Sequence, residues 1–291
     1  MSALRVLKSL NSIQTLALTW KREGLLVGFV PTMGSLHPGH ISLVEQARTA
    51  VGPTGKVVLS IYVNPTQFGA NEDLAHYPRG FREDLKLCRS AGVDVVFAPC
   101  DRDMFLVGGK ADYSTWVEEQ QISMGMEGAA RPTHFRGVTT VVAKLFNLVL
   151  PDVAVFGAKD FQQAAVIGRM VDNLHFPIRI ILSPTVRESD GLALSTRNRY
   201  LDPAHRAQAV VLSRLISKAR EVVGKSRGGI LANELRTVLN RVLEGFPLAR
   251  LDYIEFFCPS TLQPLGRVKR GSQMAVAAFL GSTRLIDNGP L

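Results

Sequence analysis

A short apolar strand that runs through a glycine turn into an amphipathic helix constrains this chain more than any other stretch. It covers Phe29-Val30-Pro31-Thr32-Met33-Gly34-Ser35-Leu36-His37-Pro38-Gly39-His40-Ile41-Ser42-Leu43. Leu25 to Val30 reads as a buried strand, and Pro38 to Ala50 as a helix with Leu43, Val44 and Ala47 on one side. The turn between them carries the pattern His-x-Gly-His. A helix N-terminus presents unpaired N–H groups and partial positive charge. The stretch is therefore expected to bind phosphate, with open helix amides and two imidazoles as donors. A structural turn role competes for either histidine taken alone. A metal-ligand reading lacks third and fourth ligands nearby.

The rest of the chain repeats the alternation. Lys56 to Val63 and Val93 to Ala98 read as strands, Phe81 to Ala91 as a helix, and Asn64 to Gly69 as a polar loop. Val153 to Phe156 and Ile178 to Leu182 are further strands, and Thr139 to Val149 and Ala164 to Asn173 further helices. After Pro99 an irregular segment holds Gly108, Gly109 and Gly125. Alternating strands and helices imply a parallel sheet with right-handed crossovers, whose ligands bind beyond the carboxyl ends of the strands. The fold class expected is α/β, a Rossmann-like N-terminal sheet domain with a smaller α+β C-terminal domain. The boundary falls near residues 184–190 and is set at 1–186 and 187–291. In the second part Pro203 to Val223 and Ile230 to Leu243 read as helices around a Gly-rich break. Asp252 to Cys258 and Gln273 to Leu280 read as strands. Residues 1–22 lack acidic side chains, as a transit peptide does. Leu7, Leu10, Ile13 and Ala17 at helical spacing favour an ordinary first helix.

Hydrophobic residues make up 46% of the 291 positions and charged residues 20%. No apolar run reaches bilayer length. Three scattered cysteines, Cys88, Cys100 and Cys258, suit a reducing compartment and form neither a disulfide framework nor a zinc site. The chain is read as cytoplasmic, without membrane contact. The formal charge of +9 fits nucleic acid or small anionic substrates. The basic residues are dispersed and not interleaved with aromatics, which argues against nucleic acid.

Other strand ends carry chemistry-bearing side chains. Lys159 follows Gly157 before a helix, where an ammonium can neutralise phosphate charge; a solvated surface lysine is the competing reading. Arg197, in Ser195-Thr196-Arg197-Asn198, brings a planar donor fork beside two hydroxyls. Gln67 and Gln163 are neutral amides suited to a hydroxyl-bearing or carboxylate substrate, although composition alone makes each a surface residue. No nucleophile elbow, Walker A lysine or dinucleotide fingerprint is present. What remains is positioning and charge stabilisation on phosphates, which fits carboxylate attack on the α-phosphate of ATP.

Several motifs together closely resemble the pantothenate synthetase (pantoate–β-alanine ligase) family. They are residues 31–40, Tyr62-Val63-Asn64-Pro65-Thr66-Gln67-Phe68, Tyr77-Pro78-Arg79, Glu127 to Val138, Gly157-Ala158-Lys159-Asp160-Phe161-Gln162-Gln163, Asp190 to Asn198 and Arg284-Leu285-Ile286-Asp287-Asn288. The resemblance spans nearly the whole chain in order. His-x-Gly-His alone would also suit nucleotidylyltransferases and class I aminoacyl-tRNA synthetases. The resemblance implies a two-step reaction dependent on ATP and magnesium (Mg2+), in which pantoate forms pantoyl adenylate and β-alanine then displaces AMP. It implies an ATP site at Met33, Gly34, Ser35, Leu36, His37, Pro38, Gly39, His40, Gly157, Ala158, Lys159, Asp160, Val186, Leu194, Ser195, Thr196 and Arg197. Catalysis falls to His40, supported by His37, Lys159 and Arg197. Gln67 and Gln163 would hold pantoate, Asn64, Arg131 and His134 would line the crevice, and Asp84 would contact magnesium. A homodimer formed through the N-terminal domain is also implied, with the C-terminal domain closing over the site. Ala158 stands where the family often has Glu, and Thr196 where it has Ser; neither removes a group the chemistry needs. Two rivals are a nucleotidylyltransferase that stops after nucleotidyl transfer and an RNA-binding module derived from a synthetase fold.

Overall fold

The computed structural model describes residues 4–70, 72–105 and 113–291; Gly108 and Gly109 lie outside the described residues. It divides into two compact units, residues 1–184 and 185–291.

The first unit is built on six parallel strands: β1 (Arg5–Leu7), β2 (Val27–Thr32), β3 (Lys56–Ile61), β4 (Val95–Phe97), β5 (Val153–Gly157) and β6 (Arg179–Ser183). Their order across the sheet is β1-β4-β3-β2-β5-β6. Both faces are covered, so alternate side chains of one strand enter different cores. Val58 joins Phe29, Phe97 and Phe156 under the helices Leu10–Arg22, His134–Val149 and Phe161–Asn173. Val57 and Leu59 join Val30, Val96 and Val155 under Pro38–Val51 and Phe81–Ser90. After β2 the chain first builds outward through β3 and β4, then crosses to β5 on the other side. That reversal puts the topological switch point between β2 and β5, where the carboxyl ends of adjacent strands leave a crevice.

Several elements of the first unit differ from expectation, among them the short helices Asp101–Phe105 and Glu127–Ala130 in the segment read as irregular. Arg5–Leu7 is a strand paired in register with Val95–Phe97, so the described part of residues 1–22 is a strand and a helix. Ser9 begins that helix by accepting the Ser12 N–H at 3.4 Å. Edge pairing of three residues leaves no local periodicity to read. The helix before β5 starts at His134 instead of Thr139, and the one after it at Phe161 instead of Ala164. Both extensions bring sequence motifs into a first helical turn.

The second unit packs the helices Val211–Lys225 and Ala232–Leu243 on an antiparallel sheet ordered Thr283–Pro290, Gln273–Leu280, Ala249–Phe257. The helical reading of 203–223 resolves into Pro203–Gln208 and Val211–Lys225. The strand Thr283–Pro290 was not anticipated: its Arg284, Asp287 and Gly289 break the apolar pattern.

Candidate active site

Three loops meet at the carboxyl ends of the adjacent strands β3, β2 and β5. The one after β2 is held from below. Gly34 adopts φ +81°, and a Cβ there would lie 2.8 Å from Ile61 and 3.0 Å from Asp84. Its N–H donates to Thr32 Oγ1 at 3.1 Å. The N–H groups of Ser35 and Leu36 donate to the two oxygens of Asp84, at 2.9 and 2.7 Å. Asp84 reaches them from the first turn of the helix Phe81–Ser90 and is buried. Two carboxylate oxygens facing two amides fix the loop whose next residue, His37, caps the helix Pro38–Val51.

The expectation of open amides at that helix start is corrected here. His37 is the N-cap, and its Nδ1 accepts the Gly39 N–H at 3.1 Å; His40 Nδ1 accepts the His37 N–H at 3.3 Å. The two imidazoles thus close a capping box normally made by Ser or Thr with Glu or Gln. Each Nδ1 is an acceptor, so in the neutral rings the proton sits on Nε2, an assignment inferred from the hydrogen-bond network. The rings lie 4.1 Å apart. Burial first, then the neighbouring His37 and Lys159 charges, push the pKa of His40 down to about 3. At neutral pH His40 is therefore an uncharged donor through Nε2–H. The fixed positive charge comes from Lys159, on the turn after β5, which also faces Asp160 at 3.5 Å.

After β3, the 3-10 turn Pro65–Gln67 is capped by Asn64, whose Oδ1 accepts from Thr66 N–H and Oγ1 at 3.2 and 2.8 Å. Asn64 Nδ2 donates to Gln67 Oε1 at 3.1 Å and to the Gly137 carbonyl at 3.2 Å. That fixes the Gln67 amide with its oxygen inward and Nε2 toward Met33 Sδ at 3.2 Å. Arg131 and His134 converge on the Gln67 main-chain carbonyl from 3.2 and 2.9 Å. Asn64, Arg131 and His134, the residues expected to line the crevice, thus all hydrogen-bond to Gln67. Met33, Gly34 and Ser35 also line a cavity of about 310 Å³ beside Tyr62 and Arg79.

Adjacent glutamines on the helix Phe161–Asn173 divide their work. Buried Gln162 accepts the Glu127 N–H at 3.0 Å and donates to the carbonyls of Ile122 and Gly125 at 2.9 and 2.8 Å. Gln163, about 100° further round the helix, makes no side-chain hydrogen bond to the described residues. The structural duty of Gln162 had no sequence signal beyond the doubled amide.

In the second unit Val186 and Leu194 are joined by the Leu194 N–H donating to the Val186 carbonyl at 2.9 Å. Arg187, within that loop, makes a bidentate pair with buried Asp287 at 2.7 and 2.9 Å. Ser195 caps the 3-10 turn Thr196–Tyr200 by accepting the Arg197 N–H at 3.3 Å. Thr196 is buried.

Asp84 fits a magnesium ligand poorly: both its oxygens serve backbone amides. No group of three or more His, Cys, Asp or Glu side chains able to hold a metal occurs among the described residues. No helix among them is long and apolar enough to cross a membrane.

Comparison with known proteins agrees with the geometry. The family described as pantoate-beta-alanine ligase matches residues 5–290. The chain is 46% identical over 285 residues to the pantothenate synthetase of Heliobacterium modesticaldum, covering 98% of each. It is 49% identical over 274 residues to that of Anaeromyxobacter dehalogenans, covering 93% of each. Among solved structures, pantothenate synthetase from Thermus thermophilus has a TM-score of 0.87 at 44% identity, covering 98% of both chains. The pantoate-beta-alanine ligase of Francisella tularensis, complexed with beta-gamma ATP and beta-alanine, has a TM-score of 0.76 at 30% identity, covering 99% of this chain and 98% of its own. A match of this length and identity assigns the chain to a family: it belongs to the pantoate–β-alanine ligases.

Proposed function

We propose that this chain condenses pantoate with β-alanine to give pantothenate, using ATP through a pantoyl-adenylate intermediate. Family membership supports the reaction. The observation that carries it to these residues is the pairing of two Nε2–H donors after β2 with Lys159 after the neighbouring β5.

In the first step a pantoate carboxylate oxygen bonds to the α-phosphorus of ATP. The bond from that phosphorus to the bridging oxygen breaks, and pyrophosphate leaves. His40 Nε2–H and the Lys159 ammonium take up the charge that grows on the phosphate oxygens, with no reorganisation at the moment of reaction. Gln67 and Gln163 hold the acid through neutral amides that cannot be adenylated in its place. In the second step the β-alanine nitrogen bonds to the acyl carbon and loses a proton, while AMP leaves with the former carboxylate oxygen. In the first unit His37 belongs to the nucleotide side of this reading, with Met33–Gly39 and Gly157–Asp160; Val186, Leu194, Ser195, Thr196 and Arg197 of the second unit are assigned to the nucleotide by the resemblance alone. Magnesium accompanies the nucleotide phosphates in the usual manner of that ion, and no step is assigned to Asp84 through it. The resemblance supports a cytoplasmic homodimer, for which sedimentation would show twice the chain mass.

Purified protein given ATP, pantoate and β-alanine is expected to release AMP and pyrophosphate in equal amounts with pantothenate. Pyrophosphate released over many turnovers without β-alanine, with the AMP moiety kept on the released product and no free AMP, would instead favour a nucleotidylyltransferase.

A further inference from the structure

We propose that Glu72 is a positioning residue for Gln67, acting through Arg131 and His134; this rests on the reading that Gln67 holds the acid substrate. Gln67 stands at the end of a three-residue turn, so no long helix fixes it. Its main-chain carbonyl accepts from His134 Nδ1 at 2.9 Å and from Arg131 Nη2 at 3.2 Å. A ring nitrogen facing a carbonyl carries the proton, which leaves His134 Nε2 as an acceptor for Arg131 Nη1 at 3.2 Å. His134 is buried, and that burial, with the charge of Arg131, holds its pKa down at about 4. The ring therefore stays neutral in a single tautomer, with its donor on Gln67.

Glu72 fixes the guanidinium from its other side. Its Oε1 accepts from Arg131 Nε at 2.9 Å, and its Oε2 accepts from Nη2. A bidentate pair sets both the plane and the rotation of the fork. One further donor of that fork meets His134, while Nη2 also reaches Gln67. The main chain of Gln67 is thereby set by Glu72, at one remove, and its side-chain oxygen by Asn64. Together they leave Gln67 Nε2, one of whose hydrogens is directed at Met33 Sδ, with a second N–H to present to a carboxylate or hydroxyl.

The test uses pantoate-dependent exchange of labelled pyrophosphate into ATP, with the wild-type protein and the variants Glu72→Gln, Gln67→Ala and the double variant. Glu72→Gln keeps the volume and removes the negative charge and one of the two acceptor oxygens that hold the Arg131 fork. It is expected to raise the KM for pantoate about tenfold, the size of one charge-assisted contact. The KM for ATP should stay within about twofold. In the Gln67→Ala background it should add less than about twofold, because a residue that acts through Gln67 has nothing left to position. Unchanged pantoate KM, equal losses for both substrates, or full additivity in the double variant would each overturn the proposal. Should Glu72→Gln unfold at the assay temperature, Glu72→Asp, which keeps the charge and shortens the reach, is scored by the same split. Absence of exchange in the wild-type protein would sink the functional reading itself and this proposal with it. Exchange in the wild type without the split would sink the proposal alone.

Discussion

At the scale of single residues, the site works by assigning protons before substrate arrives. His40 accepts a backbone N–H through Nδ1 and is held neutral, so its Nε2–H is ready as a donor. His40→Ala is expected to lower turnover by about two to three orders of magnitude, the usual loss when one preorganised donor is removed. ATP affinity should fall far less; equal losses in the two would place its contact in the ground state. The same neutrality has a cost in acid. The pKa values of His40 and His134 fall from 6.5 to about 3 and about 4 on folding. Between pH 6.5 and those values the unfolded chain binds more protons at these two sites, so their contribution to stability is full above pH 6.5 and is lost as the pH drops. His134→Gln is expected to flatten that slope between about pH 6.5 and about pH 4, by at most ~1.4 kcal/mol per pH unit. Urea unfolding at several pH values measures it, and an unchanged slope would mean that His134 titrates normally in the folded chain. The residues that bear donors and charge were legible in the sequence, because histidines, Lys159 and the glutamines stand at strand ends. Their partners were not. Nothing in Gln162-Gln163 says which amide is tied to Ile122 and Gly125, and nothing in Asp84 says that it holds two amides 48 and 49 residues away.

At the scale of elements, two placements decide where the donors point. The Asp84 carboxylate supports the loop after β2. In Asp84→Asn one acceptor becomes an N–H2 facing an N–H, and a buried mismatch of that kind costs about 1–3 kcal/mol. Denaturant unfolding should show that loss together with a weaker ATP affinity; full stability would mean the loop holds itself. Gly137, inside the helix His134–Val149, supplies the second placement. In an exposed helix Ala would be better than Gly by about 1 kcal/mol. Here a Cβ would sit 2.4 Å from the Thr66 carbonyl oxygen and 2.8 Å from Gln67 Cα, so contact outweighs propensity. Gly137→Ala is expected to destabilise the fold by about 1–3 kcal/mol, as overpacking does, and to raise the pantoate KM by moving Gln67. A stabilised variant would contradict the close approach. The helix core was readable from its apolar period. Its first turn was not, because Arg136 and Gly137 interrupt the pattern while tertiary contacts with the 64–67 turn keep it helical.

At the scale of the whole molecule, strand order explains why motifs more than a hundred residues apart come together. β5 returns beside β2, so the turn at Gly157–Asp160 and the helix start at His37–His40 follow neighbouring parallel strands. The parallel sheet, the alternating crossovers and the carboxyl-end crevice all followed from alternation in the sequence. Strand order did not, and neither did the edge strand β1 or the third strand of the small sheet. Those depend on pairings whose partners lie far away in the chain. The identity of the acid likewise came from family resemblance and not from strand and helix periods. On the proposed reading this crevice activates pantoate by adenylation before the amine takes part. The most direct measurement is exchange of labelled pyrophosphate into ATP in the absence of β-alanine. The expected result is exchange that requires pantoate and slows by about two to three orders of magnitude in His40→Ala. Exchange without pantoate, or none at all while AMP still forms with β-alanine present, would contradict it.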